Sequence, residues 1–168
     1  MKYADLVTFR DDLLFNGAVQ IGWFEHDIAL AEKAAKHYVF HGPDYHGVSE
    51  NDYGGGLRLL DTASFTLDIL QRIYGDSADE PFELAIAGYG TGKSHLGLTL
   101  ACLCSQPNSK ISKEILQNLS MADAVIGQKA KAQLKNAQPF LVVTLNGMQD
   151  FDLNSEIIRQ ILRVLNQA

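Results

Sequence analysis

Ala87-Gly88-Tyr89-Gly90-Thr91-Gly92-Lys93-Ser94 is the stretch whose residue types and spacing could do chemistry. It matches G-x-x-x-x-G-K-[ST] except that Ala87 takes the first position, with Gly88 offering a glycine one place along. The chemistry of such a loop is phosphate binding. Consecutive backbone N–H groups from about Gly90 to Ser94 point inward to cradle phosphate oxygens, and glycines let the loop bend without a side chain in the path. Lys93 would place an ammonium between the outer phosphates, and the Ser94 hydroxyl would ligate Mg²⁺. The positive end of a helix beginning there favours the anion. His95 would add its backbone N–H. The candidate nucleotide site is therefore Gly88, Tyr89, Gly90, Thr91, Gly92, Lys93, Ser94 and His95, with Lys93 as the catalytic group, Ser94 as the metal ligand, and ATP with Mg²⁺ as cofactors.

Such a loop needs a strand leading in and a helix leading out. Phe82 to Ala87 is a short apolar run followed at once by glycines, which predicts a buried strand. Lys93 to Cys104 is apolar nearly all round, as a helix packed against a sheet would be. Pro139 introduces a second expected strand, Phe140 to Leu145, and Asn154 to Leu165 is a helix with Ile157, Ile158, Ile161, Leu162 and Leu165 on one side. Between them lie two amphipathic helices, Ile111 to Leu119 and Ala122 to Asn136. Before the loop, apolar residues from Leu57 to Ile73 recur near every 3.6 positions, a helix stopped by Gly75. The order strand, helix, strand, helix implies a parallel sheet with right-handed crossovers. The expected fold is thus α/β: a three-layer P-loop NTPase over residues 57–168, incomplete, preceded by a mixed N-terminal segment, residues 1–56. In that segment Asp5 to Leu14 is apolar in part, Asn16-Gly17 marks a turn, and Ala18 to Phe24 could be a short strand. Glu25 to Phe40 reads as a helix ended by Gly42-Pro43, and His41 to Gly56 as a loop.

The nucleotide enzyme can be narrowed. No N-K-x-D base-reading motif of a GTPase follows the loop, and only Arg159 and Arg163 follow Lys93, too few for the lid of a small kinase. Hydrolysis needs an acidic residue at the end of a second apolar strand. Asn146 stands there instead, so the acid is expected beyond residue 168 and this stretch alone is expected to be inactive.

Tyr89 to Leu96 resembles the P-loop of large ATPases of bacterial phage-defence and DNA-modification systems, of the BREX and DNA-phosphorothioation types. Val142 to Leu162 is similar to the second strand and helix of AAA+ ATPases of the origin-recognition kind. The resemblance covers about half the chain. It implies an ASCE-type ATPase whose remaining catalytic elements follow the present residues, and which acts with protein partners, and through the full-length protein on DNA. Two alternatives stand beside it: a non-hydrolysing scaffold that nucleotide orders for a protein partner, and a small phosphotransferase with its acceptor on the His41 to Gly56 loop. By the same family analogy Val19-Gln20 could contact the base, although packing on the core is the plainer reading for these residues and for Trp23 and Phe24.

Bulk properties bound these readings. A chain of 168 residues, 46% hydrophobic and 20% charged, has the profile of a globular domain. A net charge of -6 opposes a nucleic-acid clamp built from the whole surface, and Lys129, Lys131 and Lys135 read as a solvated helix face. Cys102 and Cys104 fit neither a redox nor a zinc motif and read as buried thiols. His37, His41 and His46 near Asp44 and Asp52 make a metal cluster conceivable, but they read as polar loop histidines. Met1 to Arg10 is too charged for a signal peptide, and no apolar run suffices for a membrane span, so a cytoplasmic location is expected.

Overall fold

Side-chain caps set where most helices begin. In the computed structural model, residues 18–45, 60–75, 83–88, 90–146 and 152–167 are described. The short α1 (Trp23–His26) is followed at once by α2 (Ile28–Ala35), because Asp27, at φ -150°, breaks the helix and accepts from Leu30 N at 3.0 Å. A single 3₁₀ turn (Pro43–Tyr45) comes next. Asp61 caps α3 (Thr62–Tyr74) through Ser64 N at 2.8 Å. No side chain caps α4 (Lys93–Ser105). Ser109 caps α5 (Lys110–Ala122) and Asp123 caps α6 (Ala124–Leu134). Asp152 accepts from Ser155 N at 2.8 Å at the start of α7 (Leu153–Gln167). Each such cap contributes about 1 kcal/mol.

Helix α4 is central. Its Leu98, Ala101, Cys102, Leu103 and Cys104 are all buried, so it has no polar stripe. One side meets Ala31 and Ala34 of α2, with Val19, Ile21, Trp23 and Phe24 around them. The other side joins Leu70 of α3, Ile115 and Leu119 of α5, and Leu134 of α6 in the main core. Full burial of each leucine or isoleucine stabilises by about 1.5–3 kcal/mol. Helices α5 and α6 meet where Gly127 approaches Ser120.

The expected three-layer α/β P-loop NTPase fold with a parallel sheet is corrected by this architecture: the described residues are helical and contain no β-strand. The Phe82 to Ala87 and Phe140 to Leu145 runs were the intended strands. Phe82 lies outside the described residues, and residues 83–88 and 140–146 form no ladder. Leu84 and Ile86 are 80% and 72% exposed. A short apolar run predicts burial, whereas a strand also needs a partner to take its backbone hydrogen bonds, and these two runs do not pair. Phe140 is instead tied to the end of α4, its N–H donating to Cys104 O at 2.9 Å and its ring lying edge-on to Tyr74. Ala18 to Phe24 is likewise no strand but a turn entering α1, and Glu25 to Phe40 is interrupted at Asp27. The partly apolar Asp5 to Leu14 stretch, the Asn16-Gly17 turn and most of the His41 to Gly56 loop lie outside the described residues.

Helix α7 is fastened by charge. Arg163 pairs with the Glu25 carboxylate and donates to the Glu25 carbonyl at 3.0 Å, while Arg159 bridges Glu156 at 2.5 Å and Glu25 at 3.4 Å.

Two outcomes follow from this packing. A Cβ added at Gly127 would lie 2.3 Å from Ser120 Oγ and 2.5 Å from Ser120 Cα. Gly127→Ala should therefore lower the urea unfolding free energy by about 1–3 kcal/mol, and an unchanged midpoint would mean that α5 and α6 do not approach so closely. Separately, hydrogen bonds from Arg159 and then Gln160 push the Glu156 carboxyl from 4.5 down to about 2. A depressed carboxyl pKa stabilises the fold above its ordinary value, and that contribution goes as pH falls through about 2. Carboxyl ¹³C shifts should show Glu156 ionised at pH 4; titration at its ordinary value would show that the Arg159 pair is absent in solution.

Candidate functional site

Two glycines shape the loop before α4. Gly90 has φ +77° and Gly92 has φ +83°, the left-handed region, and a Cβ at either would meet nothing within 4 Å. Glycine is therefore required here by backbone conformation and not by crowding. The left-handed Gly92 turns the chain directly into α4, whose first carbonyl bond runs from Leu96 N to Gly92 O at 2.9 Å. Upstream of it, the backbone N–H groups of Gly90, Thr91, Gly92, Lys93, Ser94 and His95 donate to no acceptor among the described residues. A row of free donors at the positive end of a helix is an anion site in form.

Side chains hold the loop folded back on itself. Lys93 Nζ donates to Ala87 O at 2.8 Å and to Gly88 O at 2.6 Å, and Thr91 Oγ1 donates to Gly88 O at 2.8 Å. An ammonium has three protons, so Lys93 keeps one donor beyond these two carbonyls. Gly88 and Gly90 to Ser94 are exposed, which leaves the loop open to a ligand from solvent. His95 turns the other way: its Nε2 lies 2.7 Å from Ala34 O, and its ring meets Tyr38 edge-on at 4.9 Å. Burial holds its pKa below the ordinary imidazole value and so favours the neutral ring.

The structure thus brings together Gly88, Gly90, Thr91, Gly92, Lys93, Ser94 and His95 of the expected site, while Tyr89 lies outside the described residues. The residues fit a Mg²⁺-bound polyphosphate: free N–H groups and an ammonium for the oxygens, and the exposed Ser94 hydroxyl for the metal. Sequence reasoning missed the His95 side-chain contact, which joins residues 61 positions apart and leaves no local signature.

The other candidates fall away from the loop. Among the described residues no three His, Cys, Asp or Glu side chains gather to hold a metal ion; His46 and Asp52 lie outside them. Burial pushes the Cys102 and Cys104 thiols up to about 12 and about 11, away from nucleophilic thiolates. Val19, Trp23 and Phe24 pack on Ala31, Ala34 and Leu98. A cavity of about 280 Å³ between Phe40 to Asp44 and Ala122-Asp123 is lined by none of the loop residues. No helix of the described residues is long and apolar enough to cross a membrane. No protein-family model, curated protein or solved structure matches the chain, so the reading of the site rests on its geometry.

Because the space around Gly92 is open, Gly92→Ala should cost only backbone strain, about 1–2 kcal/mol of unfolding free energy. Thermal or urea unfolding would measure it, and a loss near zero would mean that residue 92 does not hold the left-handed conformation in solution.

Proposed function

We propose that the loop from Gly88 to His95 binds the polyphosphate of ATP together with Mg²⁺, and that the chain is the nucleotide-binding part of a larger ATPase. The observation that carries this reading is the row of backbone N–H groups from Gly90 to His95 that meet no acceptor among the described residues, beside the Lys93 ammonium. On arrival of a phosphate, Lys93 exchanges the Ala87 and Gly88 carbonyls for phosphate oxygens, a charge-assisted interaction stronger than the one it leaves. Ser94, exposed in the first turn of α4, supplies a hydroxyl to the metal. Placement of the parent protein in bacterial anti-phage defence or DNA modification, with protein partners and DNA, rests on the resemblance of Tyr89 to Leu96.

Asn146 supports a second reading. It follows the Phe140 to Leu145 run with an amide, which cannot act as the general base for an attacking water, and this favours nucleotide as a structural effector of a partner-binding scaffold. The two readings share the same binding site and differ in turnover by the full-length protein.

Calorimetric titration with a non-hydrolysable ATP analogue and Mg²⁺ should show binding that Lys93→Ala weakens by roughly tenfold to a hundredfold while leaving the fold intact. Equal affinity in the variant would remove the site assignment, and GTP run in parallel reads base selectivity.

A further inference from the structure

His95 is tied to two helices at once. It is the third residue of α4, so its main-chain N–H belongs to the free row at the loop, and its carbonyl accepts from Thr99 Oγ1 at 2.8 Å within the same helix. Its ring leaves α4 altogether and reaches the last turn of α2, where helix carbonyls lack intrahelical partners. Ala34 O accepts from His37 N at 3.0 Å and lies 2.7 Å from His95 Nε2. A carbonyl oxygen can only accept, so Nε2 carries the proton and Nδ1 the lone pair. The fully buried Ala34 and the buried Tyr38 ring, edge-on at 4.9 Å, wall the imidazole in. One bond therefore connects the negative end of α2 to the positive end of α4.

We propose that the His95 side chain is the positioning residue of the phosphate loop. By donating to Ala34 O it fixes the rotation of the first turn of α4, and with it the directions of the Lys93, Ser94 and His95 backbone N–H groups. The proposal rests on the phosphate-binding reading given above. An apolar side chain of similar size would fill the same volume and pack on Tyr38, but it would leave Ala34 O with the His37 N–H alone and remove the bond that ties α4 to α2, so that the turn is free to rotate. A glutamine would reach the carbonyl with its Nε2 donor.

The test has one arm without ligand and one with it, using the whole chain. Ring ¹⁵N spectra of the free protein should show the Nε2–H form of His95, and backbone amide shifts of residues 93–95 should stay near wild type in His95→Gln but move in His95→Leu. Titrated with Mg²⁺ and a non-hydrolysable ATP analogue, His95→Gln should bind within about threefold of wild type and His95→Leu about tenfold more weakly. An Nδ1–H ring, wild-type affinity in His95→Leu, or equal losses in both variants would overturn the proposal. If wild type and Lys93→Ala both fail to bind, the phosphate reading falls by itself, and the ring and amide shifts still decide whether His95 holds the turn. Should His95→Leu not fold, the ring form and His95→Gln binding decide it.

Discussion

The close approach of α2 to α4 is the contact on which the site depends. Ala31 and Ala34 are fully buried against Leu98, and side chains as small as alanine let two helices pack closely. That packing lets the His95 imidazole on α4 reach Ala34 O on α2. Gly97 extends the same geometry, since a Cβ there would stand 3.4 Å from Ile21 Cδ1. Three small residues thus line the place where the N-terminal residues meet the helix that carries the loop.

Capping gives a second view of the same helix. Every helix of eight or more described residues except α4 has an Asp or Ser side chain on its first-turn N–H groups. An Asp or Ser at position 92 would be worth about 1 kcal/mol to the fold, yet it could not take the left-handed conformation cheaply and would occupy the donors that an anion needs. Glycine there gives up local stability in exchange for an open N-terminus. Thr91 and Lys93, bonded to Gly88 O, hold the loop shape that an Asp cap would otherwise have supplied.

Local signals were legible in the sequence and partner-dependent ones were not. Gly92 announced the start of α4, and the 3.6-residue period announced α3, α5 and α6 to within a few residues, because helical hydrogen bonds close within the segment itself. The loop residues were legible because their backbone demands leave a mark in residue type. The break at Asp27 was hidden by the surrounding Ala, Lys and Glu, all good helix formers, although Asp is a capping residue by chemistry. The two apolar runs taken for strands failed for the opposite reason: a strand is defined by hydrogen bonds to another segment, and the hydrophobicity of Leu84, Ile86, Phe140 and Leu141 says nothing about whether such a segment lies alongside.

Helix α7 shows the same limit in another form. The apolar period of Ile158, Leu162 and Leu165 announces a helix and suggests that these residues face the core. They are 58%, 55% and 59% exposed, while Arg163 faces α1 and pairs there with Glu25. The reason lies in α1. The Glu25 side chain is only 9% exposed, and a carboxylate so placed must be paired or it costs several kcal/mol. Arg163 answers it with contacts to both the carboxylate and the main-chain carbonyl, and Arg159 adds a third. Rotating the helix to bury Ile158, Leu162 and Leu165 would strand that charge, at a cost of about 3–5 kcal/mol set against the apolar burial gained. The period of a helix therefore fixes its existence, whereas its facing was decided by one nearly buried charge on a helix more than a hundred residues earlier.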